Sequence, residues 1–182
     1  MILSHVKYNV QLKKMLDIMA QFVNFTAKKL PDDVIAKLQE LSGKEDSQMA
    51  KIIYDTMFRN QKLALELNRP SCQDTGVLQF WVKCGTRFPL IDKLEELLKE
   101  AVVRATVAAP LRHNSVETFD EYNTGKNAGK GTPTVWWDII PYSDKCEIYT
   151  YMAGGGCTLP GNATVLMLGE GYEEIVKQAS QF

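Results

Sequence analysis

Residues 71–82 read Ser-Cys-Gln-Asp-Thr-Gly-Val-Leu-Gln-Phe-Trp-Val, and the character of the chain changes within them. Before this stretch, apolar residues recur at the spacing of amphipathic helices. After Gly76, the run from Val77 to Val82 is short, β-branched and aromatic, which is typical of a strand. The apolar faces of the early helices must be buried, and the strands are the available partner. The stretch therefore predicts an α+β fold, with an N-terminal helical layer packed on a small mixed β-sheet.

Working outward from this stretch, the sequence predicts a single domain over residues 1–182. Its helical part covers 1–69, and a mixed strand-and-helix part at 70–182 carries the candidate site. Hydrophobic residues make up 45% of the chain and charged residues 24%, values typical of globular proteins. This composition excludes a disordered or fibrous chain.

Three helices are predicted in the helical part. An apolar stripe runs from Leu12 to Val23, a second helix begins at Pro31, and a third is capped by Ser47 and ends before Pro70. All three stripes are expected to be buried. Those of the second and third helices comprise Val34, Ile35, Leu38, Leu41, Met49, Ile52, Ile53, Met57, Leu63 and Leu67.

Strands at 134–140 and 147–152 flank a short polar stretch, Tyr142–Lys145, that reads as a turn. The pattern predicts that these two strands pair as a hairpin. Further expectations are a helix opening at Pro89, a mobile polar glycine-rich loop over 118–133, a short strand over 163–167 and a final helix over 170–181.

Charge and cysteine content exclude several classes of protein. Lysine and arginine number 21 against 22 acidic residues, a net charge of -1, so nucleic acid is not an expected partner. No apolar run has the length of a membrane span, and residues 1–7 lack the pattern of a secretory signal. We therefore expect a cytoplasmic protein whose cysteines, Cys72, Cys84, Cys146 and Cys157, are thiols or metal ligands. They form no C-x-x-C pair.

The segment Ser71–Gly76 is the first candidate site. It places a thiol, an amide, a carboxylate and a hydroxyl in a glycine-terminated turn between a helix and a strand, where sites are often built. A thiolate at this position can ligate iron or act as a nucleophile. The same residues also suit a structural role, with Cys72 as a small buried apolar side chain and Asp74 as a turn acid.

Two further stretches are candidates for binding an anion. Arg112 follows an apolar segment, and its guanidinium could clamp a carboxylate or form a structural ion pair. The neighbouring His113 could be an acid, a base or a structural hydrogen-bonding group. Gly154–Gly156 could turn backbone amides towards an anion, or simply form a turn before Pro160.

Taken in order, these stretches resemble the iron–sulfur hydro-lyases of the class I fumarase and tartrate dehydratase group, most closely the alpha subunits of the tartrate type. The resemblance rests on Ser71–Gly76, Pro110–Asn114, Asn123–Asn127 and Gly154–Cys157. It extends to Leu67–Pro70 and Trp137–Pro141, and it covers nearly the whole chain.

The resemblance implies dehydration of L(+)-tartrate to oxaloacetate, with a [4Fe-4S] cluster as the Lewis acid. It implies that Cys72 is a cluster ligand and that Gln73 and Asp74 approach the substrate, Asp74 as a catalytic residue. It further implies that Arg112 clamps a substrate carboxylate and that Gly155 offers its backbone amide. A small dicarboxylate is the expected substrate, and a beta subunit is the expected partner in a hetero-oligomer.

The resemblance leaves alternatives open. A class I fumarate hydratase alpha part, acting on malate and fumarate, is the alternative implied by the same motifs, and His113 is the candidate partner for the extra hydroxyl of tartrate. In the family the alpha chain continues further and supplies the other two cluster cysteines there. Cys84 and Cys146 match no family ligand, so we expect an incomplete family domain that does not hold a cluster alone. A non-catalytic fragment with an exposed apolar patch or self-association is the remaining alternative.

Overall fold

The computed structural model describes residues 2–157, 161–167 and 169–180; the expectations that touch 158–160 and 181–182 lie outside these residues. Within this part of the chain there are five α-helices and three strands. The helices are α1 (Ile2–Lys28), α2 (Asp32–Lys44), α3 (Gln48–Glu66), α4 (Leu94–Ala108) and α5 (Gly171–Ala179). The strands are β1 (Val77–Gly85), β2 (Thr134–Ile140) and β3 (Cys146–Ala153).

The sheet is mixed, and its strand order is β2-β1-β3. β1 pairs in parallel with β2, with Trp81 opposite Trp136, and antiparallel with β3, with Trp81 opposite Tyr149. Parallel neighbours need a crossover connection, and α4 lies on the connection between β1 and β2. The predicted α+β fold with a small mixed sheet is confirmed.

The hydrophobic core lies between one face of the sheet, α1 and α4. Alternate residues of β1 face inward and are buried. They are Leu78, Phe80, Val82 and Cys84. The predicted stripe of the first helix meets this face at Met19 and Val23. The α4 side chains in the same cluster are Leu94, Leu97, Leu98, Ala101, Val102 and Ala105.

The predicted hairpin is wrong, because β1 lies between the two strands that were expected to pair. β2 and β3 run antiparallel to each other on either side of β1, and residues 141–145 pass over the end of β1. Gly85 donates its backbone N–H to Lys145 O at 2.8 Å, and Arg87 donates to Ser143 O at 2.9 Å. Residues 141–145 do form a polar connection between β2 and β3, but it crosses two strand spacings, roughly 10 Å, and not the single spacing of a hairpin.

The burial predicted for the second and third helices is also wrong. None of the side chains of α2 is buried, and Ala64 is the buried side chain of α3. Met49 is 67% exposed and Ile52 is 59% exposed. The predicted cap is confirmed, since the Ser47 side chain accepts a hydrogen bond from Ala50 N. Local sequence thus specifies the helix without specifying what covers it.

The outer face of the sheet is aromatic and open among the described residues. Trp81 stacks on Trp136 at 5.9 Å between ring centroids, beside the exposed Tyr149 and Tyr151. This face agrees with the expectation of an exposed apolar patch. Residues 163–167 form no strand. None of the described helices is both long and apolar enough to cross a membrane.

Candidate functional site

The segment Ser71–Gly76 is held in place by hydrogen bonds to α1 and α3, and Asn68 links these helices to α4. Ser71 donates its backbone N–H to Ala27 O at 3.0 Å, and Asn60 of α3 donates to Ser71 O at 2.5 Å. Asn68 adopts a left-handed conformation, accepts a hydrogen bond from Lys28 and donates to Ala108 O. These bonds join the C-terminal ends of α1, α3 and α4, and they deliver the segment to the start of β1.

The Asp74 carboxylate accepts hydrogen bonds from the two chain segments that meet at this end of the sheet. Gly76 N–H donates to Oδ1 at 3.0 Å, and Gly155 N–H donates to Oδ2 at 2.6 Å. The Asn114 side-chain amide lies 3.5 Å from Oδ1. The amides of Gly76 and Gly155, together with the charge of Arg112, lower the pKa of Asp74 because they favour the ionised form. Asp74 is therefore a carboxylate at neutral pH.

The glycine run after β3 was one of the candidate anion sites, and its amides do face an anion. That anion is Asp74, which is part of the protein. A substrate oxygen placed at Gly155 would have to share this amide with the carboxylate or displace it. The approach is also tight, because a Cβ at Gly155 would lie 3.3 Å from Asp74 Oδ2.

Arg112 is positioned through its backbone. Arg112 N–H donates to the Thr75 hydroxyl at 3.1 Å, and that hydroxyl donates to Arg112 O at 3.4 Å. Thr75 is buried, whereas the Arg112 side chain is exposed. None of the ion pairs among the described residues includes Arg112, which argues against the structural-pair alternative. Its guanidinium makes no salt bridge among these residues, although its charge helps to lower the pKa of Asp74.

A cavity of about 270 Å³ brings three of the predicted site residues together. Asp74, Arg112 and Gly155 line it, with Asn114 and Val77 beside them. Cys72 and Gln73 precede Asp74 and are exposed, but they are not part of this lining. His113 is also outside the lining, and its backbone O accepts a hydrogen bond from Asn123.

Asn114 and Asn127 are held in the hydrogen-bond network around the candidate site, although sequence reasoning gave neither of them a role. The buried Asn127 donates to Arg112 O at 2.8 Å and to the Thr106 hydroxyl at 3.3 Å, and its Oδ1 accepts from Asn114 N at 2.7 Å. Asn114 donates in turn to Gly76 O at 2.9 Å. The signal was an asparagine within a glycine-rich run, which can adopt a left-handed backbone and bond to nearby peptide groups.

The glycine-rich loop over 118–133 lies largely at the surface and forms a wall of a second cavity of about 670 Å³. It lies beside the first cavity, and the two share Val77 and Asn114. Lys126 and Lys130 contribute positive charge to this wall. Glu117 lies in the same wall, so this edge of the molecule is polar and carries charges of both signs.

Comparison with known proteins assigns this arrangement to a family. The family model described as fumarate hydratase (fumerase) matches residues 16–181. The chain belongs to the fumarate hydratase family. The matched region includes all the residues that line the first cavity.

Several relatives of this fumarate hydratase family chain are much longer than it is. It is 58% identical over 166 residues to L(+)-tartrate dehydratase subunit alpha of Escherichia coli K12, and equally to that of Shigella boydii. The match covers 91% of this chain and 55% of each relative, so the chain spans about half of their length. A putative class I fumarate hydratase of Geobacillus stearothermophilus is 32% identical to this chain. The match covers 80% of this chain and 28% of the length of that relative.

The residues of this fumarate hydratase family chain do not by themselves fit a [4Fe-4S] cluster. No group of three His, Cys, Asp or Glu that could hold a metal ion occurs within the described residues. Cys72 is exposed and lies beside the cavity. Cys84 and Cys146 lie at the ends of β1 and β3 that are remote from the cavity. Among the side chains that the structure describes, the thiol donor beside the cavity is that of Cys72.

Proposed function

We propose that this chain is the N-terminal portion of an alpha-type subunit of an iron–sulfur hydro-lyase that dehydrates L(+)-tartrate to oxaloacetate and water. The observation that carries the proposal is the cavity in which Asp74, Arg112 and Gly155 converge. Their convergence occurs in a chain 58% identical to subunits named L(+)-tartrate dehydratase alpha.

Arg112 is the proposed clamp for one carboxylate of the substrate. A guanidinium can bind a carboxylate through two parallel hydrogen bonds, which fixes orientation as well as position. Thr75 bonds the Arg112 backbone N–H, and Asn127 bonds its backbone O, so the side chain starts from a fixed point. A lysine at this position would retain the positive charge but could not form the two parallel hydrogen bonds.

Asp74 is proposed to accept a hydrogen bond from a substrate hydroxyl. Its lowered pKa makes it an acceptor rather than a general acid at neutral pH. Because Asp74 repels the carboxylates of a dianion, it also favours the orientation in which a hydroxyl faces it and a carboxylate faces Arg112. Gln73, on the same exposed segment, is proposed to contact the substrate from the solvent side.

Cys72 remains a proposed iron ligand, with the other cluster ligands and the proton-abstracting base supplied from outside the described residues. In the complete enzyme the cluster would provide a Lewis acid for the departing hydroxyl. A beta subunit is the proposed partner, in a hetero-oligomer. The thiols Cys72, Cys84 and Cys146 are all free, which is typical of the cytoplasm, our proposed location.

Hydration of fumarate to malate is the second candidate function, favoured by the similarity to a putative class I fumarate hydratase. The two candidates differ by one hydroxyl on the substrate. A pocket built to hydrogen-bond a hydroxyl discriminates strongly against a substrate that lacks it. Rates with L(+)-tartrate and L-malate therefore separate the two candidates.

The proposed function can be tested with a chimera in which this chain is joined to the C-terminal part of the Escherichia coli subunit and produced with its beta subunit. Under anaerobic conditions, we expect L(+)-tartrate to yield oxaloacetate. Arg112→Lys should raise KM by about 10- to 100-fold through loss of the bidentate pair. Cys72→Ser should abolish turnover and the cluster absorbance.

Cys146→Ser is the matched control, since this thiol is remote from the cavity, and it should keep both activity and absorbance. Turnover of malate with no turnover of tartrate would select the second candidate. A chimera that carries a full cluster but turns over neither acid would refute both. Stoichiometric cluster formation on this chain alone would refute the proposal that Cys72 is one cluster ligand and that the other ligands come from outside the described residues.

A further inference from the structure

Two cysteines outside the candidate site face each other across the sheet. Cys84 of β1 and Cys146 of β3 are direct partners in the antiparallel ladder. The adjacent pair, Gly85 and Lys145, is joined by a backbone hydrogen bond of 2.8 Å. Since hydrogen-bonded and non-hydrogen-bonded pairs alternate in such a ladder, the two cysteines form a non-hydrogen-bonded pair.

This register brings the two cysteines within reach of a disulfide bond. The Cα atoms of a non-hydrogen-bonded pair lie about 4.5 Å apart, and their side chains are closer together than in the alternate pairs. Disulfides span Cα separations of about 4.4–6.8 Å. Both side chains project from the same face of the sheet, towards the core, so neither strand would need to rotate.

Burial keeps both sulfurs in the thiol form at neutral pH. Cys84 is fully buried, and Cys146, at the first position of an edge strand, is partly exposed. Burial raises the pKa of Cys84, and burial together with the neighbouring Cys84 raises the pKa of Cys146 to about 12. The thiolate is the reactive form, so we expect the pair to react slowly with a disulfide at neutral pH and faster as the pH rises.

We propose that Cys84 and Cys146 form a redox-modification site, which a low-molecular-weight disulfide converts into an intramolecular disulfide between β1 and β3. The Cys146 thiolate attacks the reagent, whose S–S bond breaks and releases one thiol. The Cys84 thiolate then attacks the mixed disulfide, and the second reagent thiol leaves. The protein loses two electrons and two protons, and the reagent gains them as two thiols.

The cross-link would reinforce the two strands that hold the candidate site. Asp74 and Gly76 lie directly before β1, and Gly154 and Gly155 directly follow β3. The cysteines are at the far end of the same strands, seven residues from Val77 and Ala153, or roughly 23 Å away. Oxidation would thus tie down an edge strand without entering the cavity, and it does not depend on the proposed function.

The test uses the parent chain, incubated with glutathione disulfide, denatured in iodoacetamide and mapped by mass spectrometry. We expect a peptide containing Cys84 linked to one containing Cys146, with a mass about 2 Da below the sum of the two reduced peptides and reversal by dithiothreitol. The exposed Cys72 is the internal standard for reagent activity, since it should form a mixed disulfide with glutathione.

Matched variants separate the two steps of the reaction. Cys84→Ser should stop at a glutathione adduct on Cys146, because no second thiol is available to resolve it. The proposal is overturned if Cys72 is modified while Cys84 and Cys146 are both recovered alkylated. It is equally overturned if either cysteine is found linked to Cys72 or Cys157 instead of to the other.

Discussion

At the scale of single residues, the charge of Asp74 makes stability depend on pH. The folded state lowers the pKa of this carboxyl below its ordinary value of 3.8, chiefly through the Gly76 and Gly155 amides. A depressed pKa contributes stability above the unfolded pKa, and this contribution is lost as pH falls through the folded pKa. We therefore expect Asp74→Asn to be less stable than the parent at neutral pH, with the difference shrinking below the ordinary pKa.

Urea denaturation at a series of pH values down to about pH 3 measures this difference. Asp55→Asn, on the exposed surface of α3, controls for the removal of a negative charge. A deficit for Asp74→Asn that stays constant over the whole pH range would contradict the ionised, hydrogen-bonded carboxylate.

Asn127 provides a second prediction at this scale. Asn127→Ala removes the side-chain hydrogen bonds to Arg112 O and Asn114 N. It also puts alanine at a backbone φ of 52°, with no side-chain hydrogen bond to offset the strain. Arg112 O keeps its longer hydrogen bond from Thr75, so the loss of the Asn127 bonds should cost about 1–3 kcal/mol of unfolding free energy. Asn127→Gly loses the same bonds but tolerates the backbone, so we expect a smaller loss. Chemical denaturation measures both, and an unchanged Asn127→Ala would contradict the role.

At the scale of elements, the connection from β2 to β3 requires a glycine beneath it. A Cβ at Gly85 would lie 2.2 Å from Ser143 O, so residues 141–145 could not pass over the end of β1. We expect Gly85→Ala to lower the unfolding free energy by about 1–3 kcal/mol, as overpacking does. Circular dichroism during urea titration gives the value.

Gly43→Ala is the matched control for this substitution. Gly43 lies within α2, and no atom comes within 4 Å of a Cβ built there. Alanine in a helix loses less backbone entropy on folding than glycine does, so stability should rise by about 0.5–1 kcal/mol. Equal effects of the two substitutions would mean that the crowding at Gly85 is not real.

At the scale of the whole molecule, burial divides the helices into two classes. The seven buried side chains of α4 contrast with none in α2 and with Ala64 in α3. Local opening is easiest where few side chains are buried. Hydrogen exchange should therefore be at least about 100-fold slower for amides in the middle of α4 and β1 than for those of α2. Mass spectrometry of the chain at low concentration measures this, and similar protection of α2 would contradict the division.

Much of this protein could be predicted from sequence, but the accuracy differs between elements. Ser47 as a cap and the strand from Val77 depend on neighbouring residues, and both are confirmed. The hairpin failed because a polar turn has the same local pattern whether it spans one strand spacing or two. The stripes of α2 and α3 failed because an apolar face predicts a need for burial without naming what supplies it.

The sequence by itself determined the fold class, the family resemblance and the segments that carry the candidate site, because each of these depends on residue types at short spacing. The tertiary structure alone decided that β1 lies between β2 and β3, and that Gly155 directs its amide to Asp74. The hydrogen bond from the Asn127 side chain to Arg112 O is likewise visible only in the tertiary structure. These relations join residues far apart in the chain, and their geometry is created only when the sheet and its crossover helix pack together.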